Sequence, residues 1–169
     1  MKRPIDVAVR MNGEWWVACA ELRIDAESVV RPALDEVRVE FGRGSSVGRT
    51  VDLELGAFEH GPELARLALR WAAKEHTNLF PTMDAELQLS EVGPVQTEVR
   101  LIGDYEPPLG ALGAVADRLA GHRLAEQSVR DFLEGVVERL RDRLTVHSES
   151  MFWRTRPIVG DRPADRRPT

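Results

Sequence analysis

The chain has 169 residues, 43% hydrophobic and 30% charged, which is enough apolar material for one globular domain with a real core and too little length for two. Its 23 Lys+Arg and 28 Asp+Glu give a net charge of −5, and because Met151–Thr169 carries +3, from five Arg against Asp161 and Asp165, the rest carries −8. So acidic a body argues against a nucleic-acid-binding face, which needs clustered basic side chains, and no apolar run approaches the length that spans a bilayer.

The opening Met1-Lys2-Arg3-Pro4-Ile5-Asp6 meets an acid before an apolar stretch can begin, so no targeting segment is expected and a cytoplasmic location is the default. Ile5, Val7, Val9 and Met11 then alternate with Asp6 and Arg10, the pattern of a strand with one face on a core and one in water. Trp15, Ala18, Cys19 and Leu22 follow the i, i+3, i+4, i+7 spacing of a helix, and Asp25 is placed to cap a second short helix that should end near Pro32. Alternation returns at Val37, Val39 and Phe41, and again at Val51, Leu53 and Leu55. The glycines between these two runs, Gly42, Gly44 and Gly48, superficially suggest a phosphate loop. The spacing is wrong, however, Arg49 stands where a lysine is required, and a strand pattern follows where a helix should begin, so a hairpin turn is the better reading.

Residues 62–77 are ambiguous. Leu64, Leu67, Ala68 and Trp71 fit a helical stripe with Pro62 in its first turn, whereas Leu67, Leu69 and Trp71 against Arg66 and Arg70 fit a strand equally well. The turn at His60-Gly61-Pro62 and the next alternating run, Ala85, Leu87 and Leu89, favour a strand in a meander. Gly93-Pro94 marks another turn before Val99 and Leu101. From Leu109 the period changes to helix: Leu112, Val115, Leu119, Ala125, Val129, Phe132, Leu133, Val136, Leu140 and Leu144 form one apolar stripe, with Gly121 a possible bend or break. A sheet must cover its apolar face, and this helix is the element long enough to do so.

The stretch Gly103-Asp104-Tyr105-Glu106-Pro107-Pro108-Leu109-Gly110, with Leu112-Gly113, Asp117-Arg118 and His122 to Phe132-Leu133, resembles the junction between last strand and final helix in the SRPBCC superfamily of START and birch-allergen-like proteins. Leu69-Arg70-Trp71 and Leu79-Phe80-Pro81 are similar to strands of bacterial members, and the resemblance covers roughly residues 35–145. It implies an α+β helix-grip fold, a curved antiparallel β-sheet wrapped around a long C-terminal α-helix, over residues 1–149, followed by an Arg/Pro-rich tail over 150–169. It also implies a hydrophobic small molecule, lipid-, steroid- or polyketide-like, bound between sheet and helix, with Trp71, Phe80, Tyr105, His122, Val129 and Phe132 as wall candidates. The alternatives are a polyketide cyclase or aromatase-like enzyme and a protein-interaction module. Fold alone does not choose among them.

No chemical motif sharpens the choice. His60, His76, His122 and His147 are isolated, no Cys/His cluster offers zinc ligands, and no cofactor is implied. Cys19 has no partner for an internal disulfide and reads as a small core residue. His122 could place an imidazole in a cavity as acid or base, or be a hydrogen-bonded core histidine; Tyr105 could stand at a pocket mouth or simply pack. Trp15, Trp16, Trp71 and Phe80 read first as core and second as cavity lining. The tail has prolines at 157, 163 and 168 and no apolar periodicity, too little to offset the entropy of ordering it. Removing residues 155–169 should therefore leave the melting temperature nearly unchanged in a thermal scan, and a large drop would show that the tail docks.

Overall fold

The computed structural model describes residues 2–37, 51–73, 82–106 and 118–154, apart from the side chains at 51, 73, 118–122, 124 and 146–154. In chain order the elements are β1 (Arg3–Asn12), α1 (Trp15–Asp25), α2 (Glu27–Asp35), β2 (Val51–His60), β3 (Leu64–Ala73), β4 (Thr82–Gly93), β5 (Gln96–Glu106) and α3 (Arg118–Arg154). The strands form one antiparallel sheet in the order β1-β5-β4-β3-β2, so the first strand closes onto the last. Alternation decides which side faces the helices. Ile5, Val7 and Met11 are buried and Asp6 and Arg10 exposed; Ala65, Leu67, Leu69 and Trp71 are buried and Arg66, Ala68 and Arg70 exposed. Within the ambiguous segment Leu64–Ala73 is thus a strand, paired on both sides, and its apolar residues gain burial that a lone surface helix could not give every second position; residues 74–77 lie outside the described residues.

One irregularity preserves the pattern in β2. Leu55 pairs with Leu69 and Phe58 with Leu67, so three steps along β2 match two along β3, a bulge at Gly56-Ala57. The extra residue returns Phe58 to the side of Leu53 and Leu55, where simple alternation would have turned it outward. A tighter constraint lies at Gly103 on β5. A Cβ there would sit 2.3 Å from the Asp84 carbonyl oxygen and 2.5 Å from the Ala85 Cα, both backbone atoms of β4 that cannot swing away.

Between β1 and β2 the chain makes the two short helices foreseen. Gly13 turns it with φ at 151°, donates its N–H to the Val95 carbonyl (2.9 Å) and accepts from the Thr97 hydroxyl (2.9 Å). On α1, Ala18, Cys19 and Leu22 face inward, and the Trp15 indole N–H donates to the Leu89 carbonyl (3.0 Å), tying the helix to β4. Trp16 departs from the expected core role: it is 59% exposed, because one residue of helix rotates it about 100° from Trp15. Asp25 accepts from the Ser28 N–H (3.1 Å) at the start of α2, as its position suggested. That helix runs three residues past Pro32 to Asp35, since the proline removes one backbone donor while Val29, Val30, Ala33 and Leu34 bury a full stripe. Val37 lies outside any strand, and the rest of the strand expected through Phe41 lies outside the described residues.

The helix α3 runs unbroken through Gly121, where a bend or division was possible, and at 37 residues is about 55 Å long. Val129, Phe132, Leu133, Val136, Val137 and Leu140 form its buried stripe. Its backbone packs most closely on β1 and α2. At the α2 crossing Gly135 brings the helices together: a Cβ there would lie 3.3 Å from that of Ala33. Around this contact Arg139 bonds Glu36 (2.5 Å) and the Gly135 carbonyl (2.9 Å), and Arg143 bonds Ser28 and approaches Glu21 (3.6 Å). The lead-in expected from residue 109 to 117 lies outside the described residues.

The glycines give a direct test. Gly103→Ala should cost more than about 3 kcal/mol or prevent folding, because backbone must move, whereas Gly93→Ala, whose Cβ would meet Gln96 at an ordinary 3.6 Å, should fold with a similar denaturant midpoint.

Candidate functional site

Register converts the strands into rows of side chains across the inner face. One row reads Leu53, Trp71, Met83, Tyr105 and Arg3, from β2 through β3, β4 and β5 to β1. The next reads Leu55, Leu69, Ala85, Gly103 and Ile5, and the next Phe58, Leu67, Leu87, Leu101 and Val7. Trp71 and Tyr105, singled out separately in the sequence, thus share a row with Met83 between them. Both are sealed, at 7% and 2% exposure. From α3, Phe132 meets the Trp71 ring with centroids 5.4 Å apart and planes tilted by 57°, and Val129 lies one turn earlier on the same buried stripe. Four of the six wall candidates, Trp71, Tyr105, Val129 and Phe132, are therefore buried in the core cluster. The other two, Phe80 and the His122 side chain, lie outside the described residues.

The inward chemistry is almost wholly apolar. Among the described residues Thr97 is the buried polar side chain, and its hydroxyl is spent on the Gly13 carbonyl. The buried ionisable groups among the described residues are Tyr105 and Cys19, and burial pushes the Cys19 thiol up to about 12, so the thiolate needed for nucleophilic attack or metal binding is suppressed. No group of three His, Cys, Asp or Glu that could hold a metal occurs among the described residues. His60 is far from the Trp71 row, six residues along β3 and about 20 Å away, where it stacks on Trp15 at 5.0 Å and neighbours Phe58 at 6.5 Å.

Most charge lies on the outer face and the helix exteriors, while Arg3 ends one inner row. Arg100 grips Asp6 with two bonds of 2.5 and 2.7 Å and holds its carboxyl below the usual carboxylate range. Lys2 pairs with Asp84 (3.1 Å) and Arg66 with Glu86 (3.6 Å). The stabilisation at Asp6 is present above the ordinary carboxylate pKa and is lost as pH falls through the lowered one. An open groove of about 820 Å³ lies between β1 and α3, with Val9 and Val137 in its floor. Its rim balances Arg10, Arg130 and Arg141 against Glu98, Glu134 and Glu138, which favours neither sign of ligand. Local patterning gave no hint of it, since it joins residues about 120 positions apart. Met83, by contrast, continues the alternation of Ala85, Leu87 and Leu89 and was legible.

No family model matches the sequence, and no curated protein does. Solved structures do. A hypothetical protein from Helicobacter pylori is similar at a TM-score of 0.52 and 15% identity, over 81% of this chain and 87% of that one. A conserved protein from Geobacillus kaustophilus matches at 0.52 and 10% identity over 84% and 96%, and Ara h 8.0201 at 0.50 and 8% identity over 84% and 99%. Together with two helices between β1 and β2 and a C-terminal helix on the inner face, these likenesses decide the fold. The chain has a helix-grip fold. As in the resemblance read from the junction at Gly103–Gly110, the grip is formed by one sheet face and α3. Within this helix-grip domain no helix among the described residues is long and apolar enough to cross a membrane.

Burial makes a prediction for Cys19. With its pKa raised to about 12, the native thiol should resist an aromatic disulfide reagent at neutral pH, and react stoichiometrically only after unfolding in guanidinium. Rapid labelling of native protein would show that α1 opens.

Proposed function

We propose that this domain binds a hydrophobic small molecule, lipid-, steroid- or polyketide-like, between the inner face of the sheet and α3. The observation that carries the reading is the buried row Trp71, Met83 and Tyr105, with Phe132 of α3 against the Trp71 ring and Val129 on the same buried helix stripe, a set of walls that is apolar apart from the Tyr105 hydroxyl. Such walls take up an apolar ligand by removing its surface from water, at about 25 cal/mol per Å², and place no unpaired charge against it. Phe80 and His122 remain proposed wall residues on the sequence pattern alone. A cyclase-like enzyme would need a proton-transfer group facing the substrate, and of the described wall residues Tyr105 is the candidate.

The position of α3 supports the reading. Its backbone packs on β1 and α2, to one side of the sheet, so over β3 and β4 the interval to the helix is spanned by large side chains such as Trp71. An apolar guest enters by displacing side-chain contacts there, without breaking backbone pairing.

A panel of fatty acids, steroids and aromatic polyketides tests this by thermal shift and intrinsic fluorescence. A true ligand at a hundred times its Kd should stabilise by about 2.7 kcal/mol, which at this size raises the melting temperature by about 2–4 °C per kcal/mol. Trp71→Ala should weaken binding at least tenfold, while Arg66→Ala on the outer face should leave it unchanged. If no member of the panel gives a saturable signal or a higher melting temperature, the binding reading falls and a protein-interaction role takes its place.

A further inference from the structure

The middle of the inner face contains an unfilled pair. Ala85 and Gly103 are direct cross-strand partners on β4 and β5, the third and fourth of the five positions of their row. Every neighbour on that face is larger and sealed. Along the row Leu69 and Ile5 are each 3% exposed; in the flanking rows Met83 and Tyr105 are 2%, Leu87 and Leu101 0%. Ala85 and Gly103 are only half-buried although they lie in the centre of the sheet. Glycine at 103 is dictated by the backbone, since any Cβ would strike Asp84 and Ala85. Alanine at 85 is not so dictated. Sheets commonly cover a strand glycine with a large, often aromatic, cross-strand neighbour, and here that neighbour contributes a single methyl.

Resting on the proposal of an internal apolar site, we infer that Ala85 is its size- and shape-determining residue: with Gly103 it floors a shallow hollow that seats a flat ring system. The frame fits that shape. Met83 and Leu87 stand about 13 Å apart along β4, and Leu69 and Ile5 about 14 Å apart across three strand spacings, both measured between backbones. After the framing side chains take their share, one to two fused rings fit flat. The depth is that of one missing side chain, close to the 3.5–4.0 Å contact distance between stacked carbon atoms. A flexible alkyl chain can lie elsewhere along the wall and does not need this floor; a rigid polycycle does. Ala85 acts here by the room it leaves, while Trp71 and Phe132 supply the contact area.

The experiment replaces the methyl. Ala85→Leu fills the hollow, and Ala85→Val fills it partly. Each is measured against wild type for melting temperature and for binding of two probes, 1-anilinonaphthalene-8-sulfonate as the flat aromatic and oleate as the flexible chain. The inference expects unchanged or higher melting temperatures in both variants, because the added carbons enter free space. It expects a loss of at least tenfold in affinity for the aromatic probe in Ala85→Leu, a smaller loss in Ala85→Val, and little change for oleate. A melting temperature several degrees lower in both variants, or failure of both to fold, would mean the space is already occupied and overturns the inference. Equal affinity of wild type and Ala85→Leu for the aromatic probe overturns it as well. If wild type binds neither probe, the internal-site proposal fails by that result, and the inference drawn from it falls too, whatever the melting temperatures.

Discussion

The close approach of β4 to β5 at Gly103, the tightest of the described glycine positions, constrains much of what surrounds it. Two backbones meet where a single methyl would lie 2.3 Å from a carbonyl oxygen, so the strands can be paired at this point only because the residue has no side chain. The pairing fixes Ala85 opposite Gly103 and Tyr105 opposite Met83, and through β3 it brings Trp71 into line with both. A one-residue slip would turn every apolar side chain of β5 outward. The rows of the inner face, and with them the candidate site, follow from that register.

The helix α3 is positioned by a second small residue. Gly135 lets it lie close on Ala33 of α2, and Arg139 and Arg143 bond the α2 side of the crossing, while Gly13 leaves room for Leu144 near the far end. These contacts hold the helix near β1 and α2. It can therefore cover the sheet without its backbone approaching β3 and β4, and the interval is bridged by the Trp71–Phe132 contact. Large aromatic contacts of this kind carry substantial burial energy yet have soft geometry, which suits a wall that must part for a guest.

The division of charge follows the same logic. Arg100–Asp6, Lys2–Asp84 and Arg66–Glu86 decorate the outer face, where water shares their solvation and each pair contributes little to stability. Inside, the Thr97 hydroxyl is bonded to backbone, and the Cys19 thiol is held neutral. For the proposed ligand such an interior offers few groups to read polarity, so discrimination would rest on shape and on the room left at position 85.

Local sequence determined the kind of each element and which of its sides faces inward. Two-residue alternation marked β1, β2, β4 and β5, the 3.6-residue stripe from Ala125 to Leu144 marked α3, and Asp25 announced the start of α2. Trp71, Val129 and Phe132 were recognisable as inward residues for the same reason, because periodicity reports orientation, whereas Tyr105 was singled out by the resemblance of its junction. It does not report partners. That Trp71 meets Phe132, that Ala85 faces Gly103, that a bulge at Gly56-Ala57 turns Phe58 inward and that Trp16 points to water were settled only by register, strand crossing and helix docking. Even residues 64–73, inside a segment that fits both periods, became a strand only because β2 and β4 were there to pair with it; such choices depend on segments far apart in the chain, whose mutual distance no local pattern encodes.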